Sequence, residues 1–186
     1  MKLAHSVPYF LFLAMMAGEL YAARSGRPNA NDRDRGSLVI VRLGTLAGYV
    51  AGFAWWELHK AAHGQPIQAL AGGSALTIGG IALRMWCVHL LGPSFTVDVR
   101  VSPGQRVITK GPYALLRHPS YLGGILEAIG IGLAMGSTVA PIIIAIPQLG
   151  ALAYRMRVEE AALLEVIGEP YERYCDRTKR LFPFLW

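Results

Sequence analysis

The chain has 186 residues, of which 53% are hydrophobic and only 16% are charged, and its mean hydropathy is +0.37. Soluble domains carry about 25% charged residues, so this composition excludes an ordinary soluble domain and indicates a membrane protein. Its two cysteines, Cys87 and Cys175, are far apart and lack the spacing of a zinc site or a disulfide framework, so we expect no bound metal.

Five apolar stretches are candidates for membrane-spanning helices, which need about 20 mostly apolar residues. In chain order they cover residues 7–23, 38–56, 67–91, the short 121–135, and 139–154, which continues into a charged helix ending near residue 168. The first could be a cleaved signal peptide, but Glu19 makes a poor small-residue cleavage site, so we expect it to remain. The sequence therefore predicts an all-α integral membrane protein with about five crossings.

The connections between the spans are alternately rich and poor in lysine and arginine, as expected for five crossings. The connections 24–36 and 92–117 and the tail from residue 155 hold nearly all of them, whereas 57–66 and 136–138 together hold only one. Because cytoplasmic segments are enriched in lysine and arginine, we expect the N-terminus outside and the C-terminus in the cytoplasm, in a bacterial inner membrane. This topology explains the net charge of +6 without a nucleic-acid partner.

Three local patterns add detail to this topology. Trp55 and Trp56 suit an interfacial aromatic belt at the outer end of the second span. Residues 95–101 and 106–110 suggest two short extended pieces around a Pro-Gly turn, lying over the cytoplasmic mouth. Four glycines of the third span predict close helix packing, namely Gly72, Gly73, Gly79 and Gly80.

The polar residues of the predicted cytoplasmic side form two clusters. The first is Arg117-His118-Pro119 at the start of span four, where proline suits the first helical turn. Taken alone, Arg117 and His118 could be an anchor that reaches the headgroups, and Arg84 in span three could also lie near the membrane surface. Glu127 in the middle of span four is interpreted as a packing or substrate-tunnel residue, either protonated or paired with Arg84.

The second cluster continues the fifth helix as Y-R-M-R-V-E-E, residues 154–160. Arg155 and Glu159 are four apart, and Arg157 and Glu160 three apart, so each pair can meet on one helix face, as on a solvated helix. Ionisable groups beside a membrane span are costly, however, and usually face a bundle interior or a wet cavity. The two clusters together predict a site for a zwitterionic ligand.

These residues carry a family resemblance. G-P-Y-A-L-L-R-H-P-S-Y-L-G at 111–123, followed by R-x-R-x-E-E-A-x-L-x-x-x-x-G-E-x-Y-x-x-Y-x-x-R at 155–177, resembles the isoprenylcysteine carboxyl methyltransferase family of integral membrane enzymes. The upstream R-M-W-C-V-H-x-L-G-x-x-F-T-x-D-V-x-V from Arg84 fits its bacterial members. The resemblance covers more than half of the chain and leaves the first two spans to hydropathy and charge.

The resemblance implies a single methyltransferase domain over residues 1–186, with two N-terminal spans in 1–66 and the catalytic core in 67–186. It implies an S-adenosylmethionine pocket formed by the loop before helix 4, the end of helix 5 and a C-terminal helix. The methyl acceptor would be a carboxylate on an isoprenylcysteine-like or other lipophilic molecule, or on a prenylated protein, that enters from the bilayer.

Roles for individual residues follow from the same resemblance. Arg155, Glu159 and Glu160 would be catalytic, with Arg155 steering the acceptor carboxylate and one glutamate holding the amino group of the cofactor; Arg84 would also contact the acceptor. The implied cofactor contacts are Tyr113, Leu116, Arg117, His118, Pro119, Tyr121, Leu122, Glu159, Glu160, Tyr171, Tyr174 and Arg177.

The chemistry leaves other acceptors and functions open. A carboxylate acceptor is ionised near neutral pH and needs no strong base, whereas the amine of a phospholipid or a small thiol would need one, such as Glu159, Glu160 or His118. Membrane sterol reductases share R-H-P-x-Y-x-G and use a nicotinamide cofactor, but usually have an acidic residue where this chain has Gly124. A scaffold gives no reason for the polar clusters, and a transporter would place them near the bilayer midplane.

Overall fold

The computed structural model describes residues 2–25, 34–60, 64–95 and 107–182. These residues form six α-helices and two short 3-10 turns, Gly92–Ser94 and Gly111–Ala114, with one isolated parallel bridge between Leu116 and Lys179. The helices are α1 Lys2–Ser25, α2 Ser37–His59, α3 Ile67–Leu91, α4 Pro119–Ala134, α5 Ala140–Ile167 and α6 Glu169–Arg177. The predicted all-α class is confirmed, and the extended pieces expected within 95–110 fall largely on residues 96–106, outside the described ranges.

Three helices are long and apolar enough to cross a membrane, and α4 is a shorter apolar helix. The three candidate spans are His5–Arg24, Ser37–His59 and Ile67–Leu91, and large apolar side chains such as Leu43 and Val50 lie exposed on α2, as lipid-facing residues do. The protein is therefore a multi-pass integral membrane protein. Crossings by α4 and by the first half of α5, and the orientation of the termini, stay predictions.

Helices α3 and α4 pack backbone to backbone through glycines. A Cβ placed on Gly80 would lie 2.6 Å from the carbonyl oxygen of Gly123, and one placed on Gly73 would meet α4 as closely. A Cβ on Gly72 or Gly79 would meet nothing within 4 Å. The prediction of close packing is therefore confirmed for Gly73 and Gly80 and is wrong for Gly72 and Gly79, because only the first pair faces α4.

Trp56 lies inside the bundle and does not form the expected aromatic belt. It is 2% exposed, and its indole Nε1 donates a hydrogen bond to the carbonyl oxygen of Met135 at 2.9 Å. A buried indole N–H needs an acceptor, and the C-terminal end of α4 offers one. Trp55, by contrast, is half-buried and stacks on His59 with ring centroids 4.5 Å apart.

The C-terminal segment returns to the start of α4. Gly168 ends α5 with a φ of 70°, a conformation that favours glycine, and α6 begins at the next residue. Beyond α6, Leu181 is fully buried in an apolar cluster with Met156 of α5 and Ile125 of α4. This packing places the end of the chain against the polar residues that precede α4.

Candidate active site

The start of α4 is shaped by glycine and proline. Gly111 has a φ of 58°, in the left-handed region that favours glycine. Pro119 is the first residue of α4, directly after His118. The His118 ring is 5% exposed and stacks on the ring of Tyr121, with centroids 5.3 Å apart and planes 3° from parallel. The two stacked rings thus lie beside Glu159 and Glu160 of α5.

Glu160 of α5 lies between two guanidinium groups and an imidazole. Its carboxylate lies 2.9 Å from Arg117 Nε, 3.2 Å from His118 Nε2 and 2.8 Å from Arg180 Nη2, and its side chain is 8% exposed. Burial by itself would raise the pKa of Glu160, but the hydrogen bonds from His118 and Arg180 outweigh it and lower the pKa to about 2. Glu160 is therefore a fixed anion that joins the loop before α4 to the C-terminal segment.

Glu159 has a different environment from its neighbour. Its Oε2 accepts a hydrogen bond from the Tyr121 hydroxyl at 2.7 Å and lies 3.8 Å from His118 Nδ1. The Glu159 side chain is 32% exposed, against 8% for Glu160. Of the two carboxylates, Glu159 is the one with room for a cationic ligand group.

Arg155 lies one helical turn before Glu159 and is 5% exposed. Its Nε donates to the Tyr121 hydroxyl at 2.9 Å, and its Nη1 donates to Asp34 Oδ1 and Ser37 Oγ, both at 3.1 Å. The Tyr121 hydroxyl therefore accepts from Arg155 and donates to Glu159. Ser37 is the first residue of α2 and Asp34 lies three residues before it; the sequence analysis missed both.

The backbone of the motif is paired with the C-terminal segment. The amide N–H of Arg117 donates to Lys179 O at 2.7 Å, that of His118 to Arg180 O at 2.9 Å, and that of Lys179 to Leu115 O at 3.1 Å. Arg117 Nη1 also donates to Cys175 O at 2.9 Å. Lys179 and Arg180, just beyond α6, thus engage two backbone N–H groups of the stretch that the resemblance assigned to the cofactor. A cover of the adenosine side by the C-terminal helix stays a prediction.

The tyrosines of the predicted set support this junction. The Tyr174 hydroxyl lies 2.7 Å from Tyr113 O and 3.1 Å from Leu116 O and donates to them. Tyr113, Leu116, Tyr171 and Tyr174 are all buried, and burial raises the pKa of each of the three tyrosines. At neutral pH these phenols are protonated hydrogen-bond donors.

Three predicted site residues lie away from the cluster. Arg177 is exposed at the end of α6, and Leu122 packs among the apolar residues around Met156. Arg84 forms an ion pair with Glu19 of α1 at 2.6 Å and donates to Ser120 Oγ at 3.3 Å.

Glu127 is buried at the contact between α3 and α4. It is 2% exposed, and its Oε1 has no hydrogen-bond partner among the described residues. Its side chain lies against Gly80. The packing interpretation thus has direct support, whereas a role in a substrate tunnel stays a prediction.

The structure brings six of the fourteen predicted site residues into one polar cluster. Those in mutual contact are Arg117, His118, Tyr121, Arg155, Glu159 and Glu160, with Pro119 positioning the first turn. The residues that the sequence analysis missed are Asp34, Ser37, Arg180 and Glu19. Asp34 lies between two arginines of the first loop, Arg33 and Arg35, and no sequence motif singles it out.

Comparison with known proteins points to the same region of the chain. Residues 74–165 match the isoprenylcysteine carboxyl methyltransferase (ICMT) family. Protein-S-isoprenylcysteine O-methyltransferase B of Arabidopsis thaliana is 29% identical over 115 residues, which is 61% of this chain and 58% of that protein. The Schizosaccharomyces pombe protein-S-isoprenylcysteine O-methyltransferase is 30% identical over 57% of this chain and 46% of its own length.

A bacterial relative and a solved structure extend the comparison. The uncharacterized protein YpbQ of Bacillus subtilis is 32% identical over 54% of this chain and 60% of its own length. The structure of a eukaryotic intramembrane Ras methyltransferase, ICMT, superimposes with a TM-score of 0.61 at 24% identity, over 74% of this chain and 51% of that one. The chain thus spans about two fifths to three fifths of the length of the relatives it matches.

The matched residues 74–165 contain the stacked His118 and Tyr121, Arg155 and both glutamates. The fold agrees with the solved relative, and the sequence motifs lie where that fold brings α4 and α5 together. The chain therefore belongs to the isoprenylcysteine carboxyl methyltransferase family.

Proposed function

We propose that this chain transfers a methyl group from S-adenosylmethionine to the carboxylate of a lipophilic acceptor at the membrane interface. The observation that carries the proposal is the arrangement around the Tyr121 hydroxyl, which joins Arg155 to Glu159. One cation and one accessible anion are held a fixed distance apart, at the end of the apolar part of α5. This arrangement suits a reaction between a cationic donor and an anionic acceptor.

The residues present fit S-adenosylmethionine by the chemistry of their donor set. The cofactor carries an ammonium group, for which the 32% exposed carboxylate of Glu159 is a suitable acceptor. The stacked rings of His118 and Tyr121 would wall the same pocket. Glu160 fits this role less well, because Arg117 and Arg180 already neutralise it.

The bound cofactor supplies a methyl group on a positively charged sulfur. An ionised carboxylate attacks without losing a proton, so the protein need not provide a strong base. Arg155 would orient the acceptor, because a guanidinium stays positively charged at neutral pH and attracts an ionised carboxylate. Holding the two reactants in line can supply about 7–11 kcal/mol of the barrier in favourable cases.

The position of the site suits an acceptor that comes from the bilayer. Helices α1 to α3 are long and apolar enough to cross a membrane, and the polar cluster lies where α4 begins and where the apolar part of α5 ends. A lipid-like acceptor could therefore reach Arg155 from the bilayer while a polar cofactor enters from water. The relatives named protein-S-isoprenylcysteine O-methyltransferase support an acceptor of this class.

An amine or thiol acceptor is the alternative that the geometry also accommodates. His118 lies 3.2 Å from Glu160 and 3.8 Å from Glu159, so an imidazole that could take a proton is held next to two carboxylates. The bond formed in the product separates the two possibilities, because a carboxyl methyl ester is labile to base and a methylamine or thioether is not.

Cofactor binding is the first test of the proposal. Isothermal titration calorimetry on the purified protein in detergent should show binding of S-adenosylmethionine and of its demethylated product, and no binding of NADPH. Binding of NADPH without binding of S-adenosylmethionine would refute the proposed function in favour of a reductase.

A further inference from the structure

We infer that Asp34, together with Ser37, positions Arg155, so that the start of α2 completes a site whose recognised motifs all lie in the second half of the chain. The inference rests on the proposed function, in which Arg155 orients the acceptor. Asp34 and Ser37 precede Arg155 by 121 and 118 residues, and both lie outside the region 74–165 that matches the family.

Burial makes a counter-ion for Arg155 necessary. The Arg155 side chain is 6% exposed, and a buried charge is costly unless it is paired and hydrogen-bonded. Asp34 Oδ1 supplies the charge at 3.1 Å from Nη1, and Ser37, which is fully buried, supplies a second acceptor at the same distance. With the Tyr121 hydroxyl on Nε, two edges of the guanidinium are fixed, and its plane is set before any acceptor arrives.

Asp34 can hold this position because it is itself fixed. Its Oδ2 accepts the amide N–H of Leu38 at 3.0 Å, and its Oδ1 accepts the hydroxyl of Ser37 at 2.9 Å. Between them, Arg35 and Gly36 adopt φ values of 47° and 71°, which turn the chain back over the first turn of α2. These hydrogen bonds to the first turn of α2 keep the Asp34 carboxylate in place when an acceptor binds. Asp34 therefore positions Arg155 and does not compete with it for the acceptor.

A double-mutant cycle tests the contact without reference to activity. Thermal unfolding in detergent is measured for Asp34→Asn, Arg155→Met and the double variant. Each single substitution breaks the buried ion pair, so each should lower Tm. The decrease in Tm of the double variant should be clearly smaller than the sum of the two single decreases. Glu57→Gln, the same kind of change at the other end of α2, is the matched control and should not couple to Arg155→Met.

Methyl-transfer kinetics test the positioning role. Asp34→Asn should lower kcat/KM for a carboxylate acceptor about 10- to 100-fold, as expected when a charge-assisted contact is lost. The Kd for S-adenosylmethionine should stay within about threefold, and Asp34→Asn should have no further effect in the Arg155→Met background. Ser37→Ala should show a smaller loss of the same kind.

Additive shifts in Tm, or an unchanged kcat/KM in Asp34→Asn, would overturn the inference. Failure of this inference can be distinguished from failure of the proposed function. A wild-type protein that transfers no methyl group would refute the proposed function, while the thermal cycle would still decide whether Asp34 holds Arg155.

Discussion

Glu160 and Arg180 form a double contact, with Arg180 Nε and Nη2 at 2.9 and 2.8 Å from Glu160 Oε2. This ion pair fastens the C-terminal segment to α5, while the backbone of the same segment pairs with the motif before α4. Because the Glu160 side chain is only 8% exposed, removing its charge weakens the contacts of two arginines, Arg117 and Arg180, with this carboxylate. Glu160 therefore contributes chiefly to holding the pocket together.

The lowered pKa of Glu160 predicts a specific dependence of stability on pH. Its pKa falls from an ordinary value of 4.5 to about 2 on folding, so its contribution is fully present above pH 4.5 and is lost as the pH falls towards 2. We expect the Tm of Glu160→Gln to lie below that of the wild type at pH 6 and the gap to narrow from pH 4.5 downwards. A gap that stays constant between pH 6 and pH 3 would contradict this assignment.

Glu159 should matter for the cofactor more than for the fold. Glu159→Gln keeps an acceptor for the Tyr121 hydroxyl but removes the charge that would face the cofactor's ammonium group. We expect the Kd for S-adenosylmethionine to rise at least about tenfold, since hydrogen bonds to charged groups contribute about 1.5–3 kcal/mol, with Tm nearly unchanged. Calorimetry provides the measurement, and the exposed Glu172→Gln serves as the control. An unchanged Kd in Glu159→Gln would remove this residue from the cofactor site.

The Tyr121 hydroxyl should be needed for turnover. Tyr121→Phe keeps the ring stacked on His118 and removes the group that joins Arg155 to Glu159. We expect kcat/KM to fall about 10- to 100-fold, because two hydrogen bonds to charged groups are lost. Tyr9→Phe removes an exposed hydroxyl that donates to Glu57, at the opposite end of α2 from Asp34, and should retain wild-type kinetics. Equal activity of the two variants would show that the Tyr121 hydroxyl has no part in the reaction.

The glycine contact between α3 and α4 gives a prediction about stability. Gly80→Ala puts a Cβ 2.6 Å from Gly123 O, whereas the same change at the neighbouring Gly79 meets nothing within 4 Å. Overpacking costs about 1–3 kcal/mol, so Gly80→Ala should lower Tm measurably. Gly79→Ala should be neutral or slightly stabilising, because alanine favours helix by up to about 1 kcal/mol over glycine. Similar Tm values for both variants would argue against this helix contact.

The sequence predicts the helical class, four of the apolar helices and both halves of the polar cluster, because these features are local. Hydropathy identifies each helix from its own residues alone, and His118 and Glu159 are recognisable as polar residues next to apolar stretches. The contacts of Arg155 with Asp34 and of Glu160 with Arg180 join distant or non-helical segments, and no periodicity indicates them. For Trp56 the sequence predicted the wrong environment. A tryptophan at a helix end is compatible with a membrane interface and equally with a buried hydrogen bond.

Transfer of a labelled methyl group tests the central claim most directly. Purified protein in lipid or detergent is incubated with methyl-labelled S-adenosylmethionine and a farnesylcysteine-type carboxylate, with Arg155→Met as the matched variant. We predict label in the acceptor that base releases as methanol, and a much lower rate for Arg155→Met. Label that resists base would identify an amine or thiol acceptor, and absence of transfer to any lipophilic carboxylate would contradict the account.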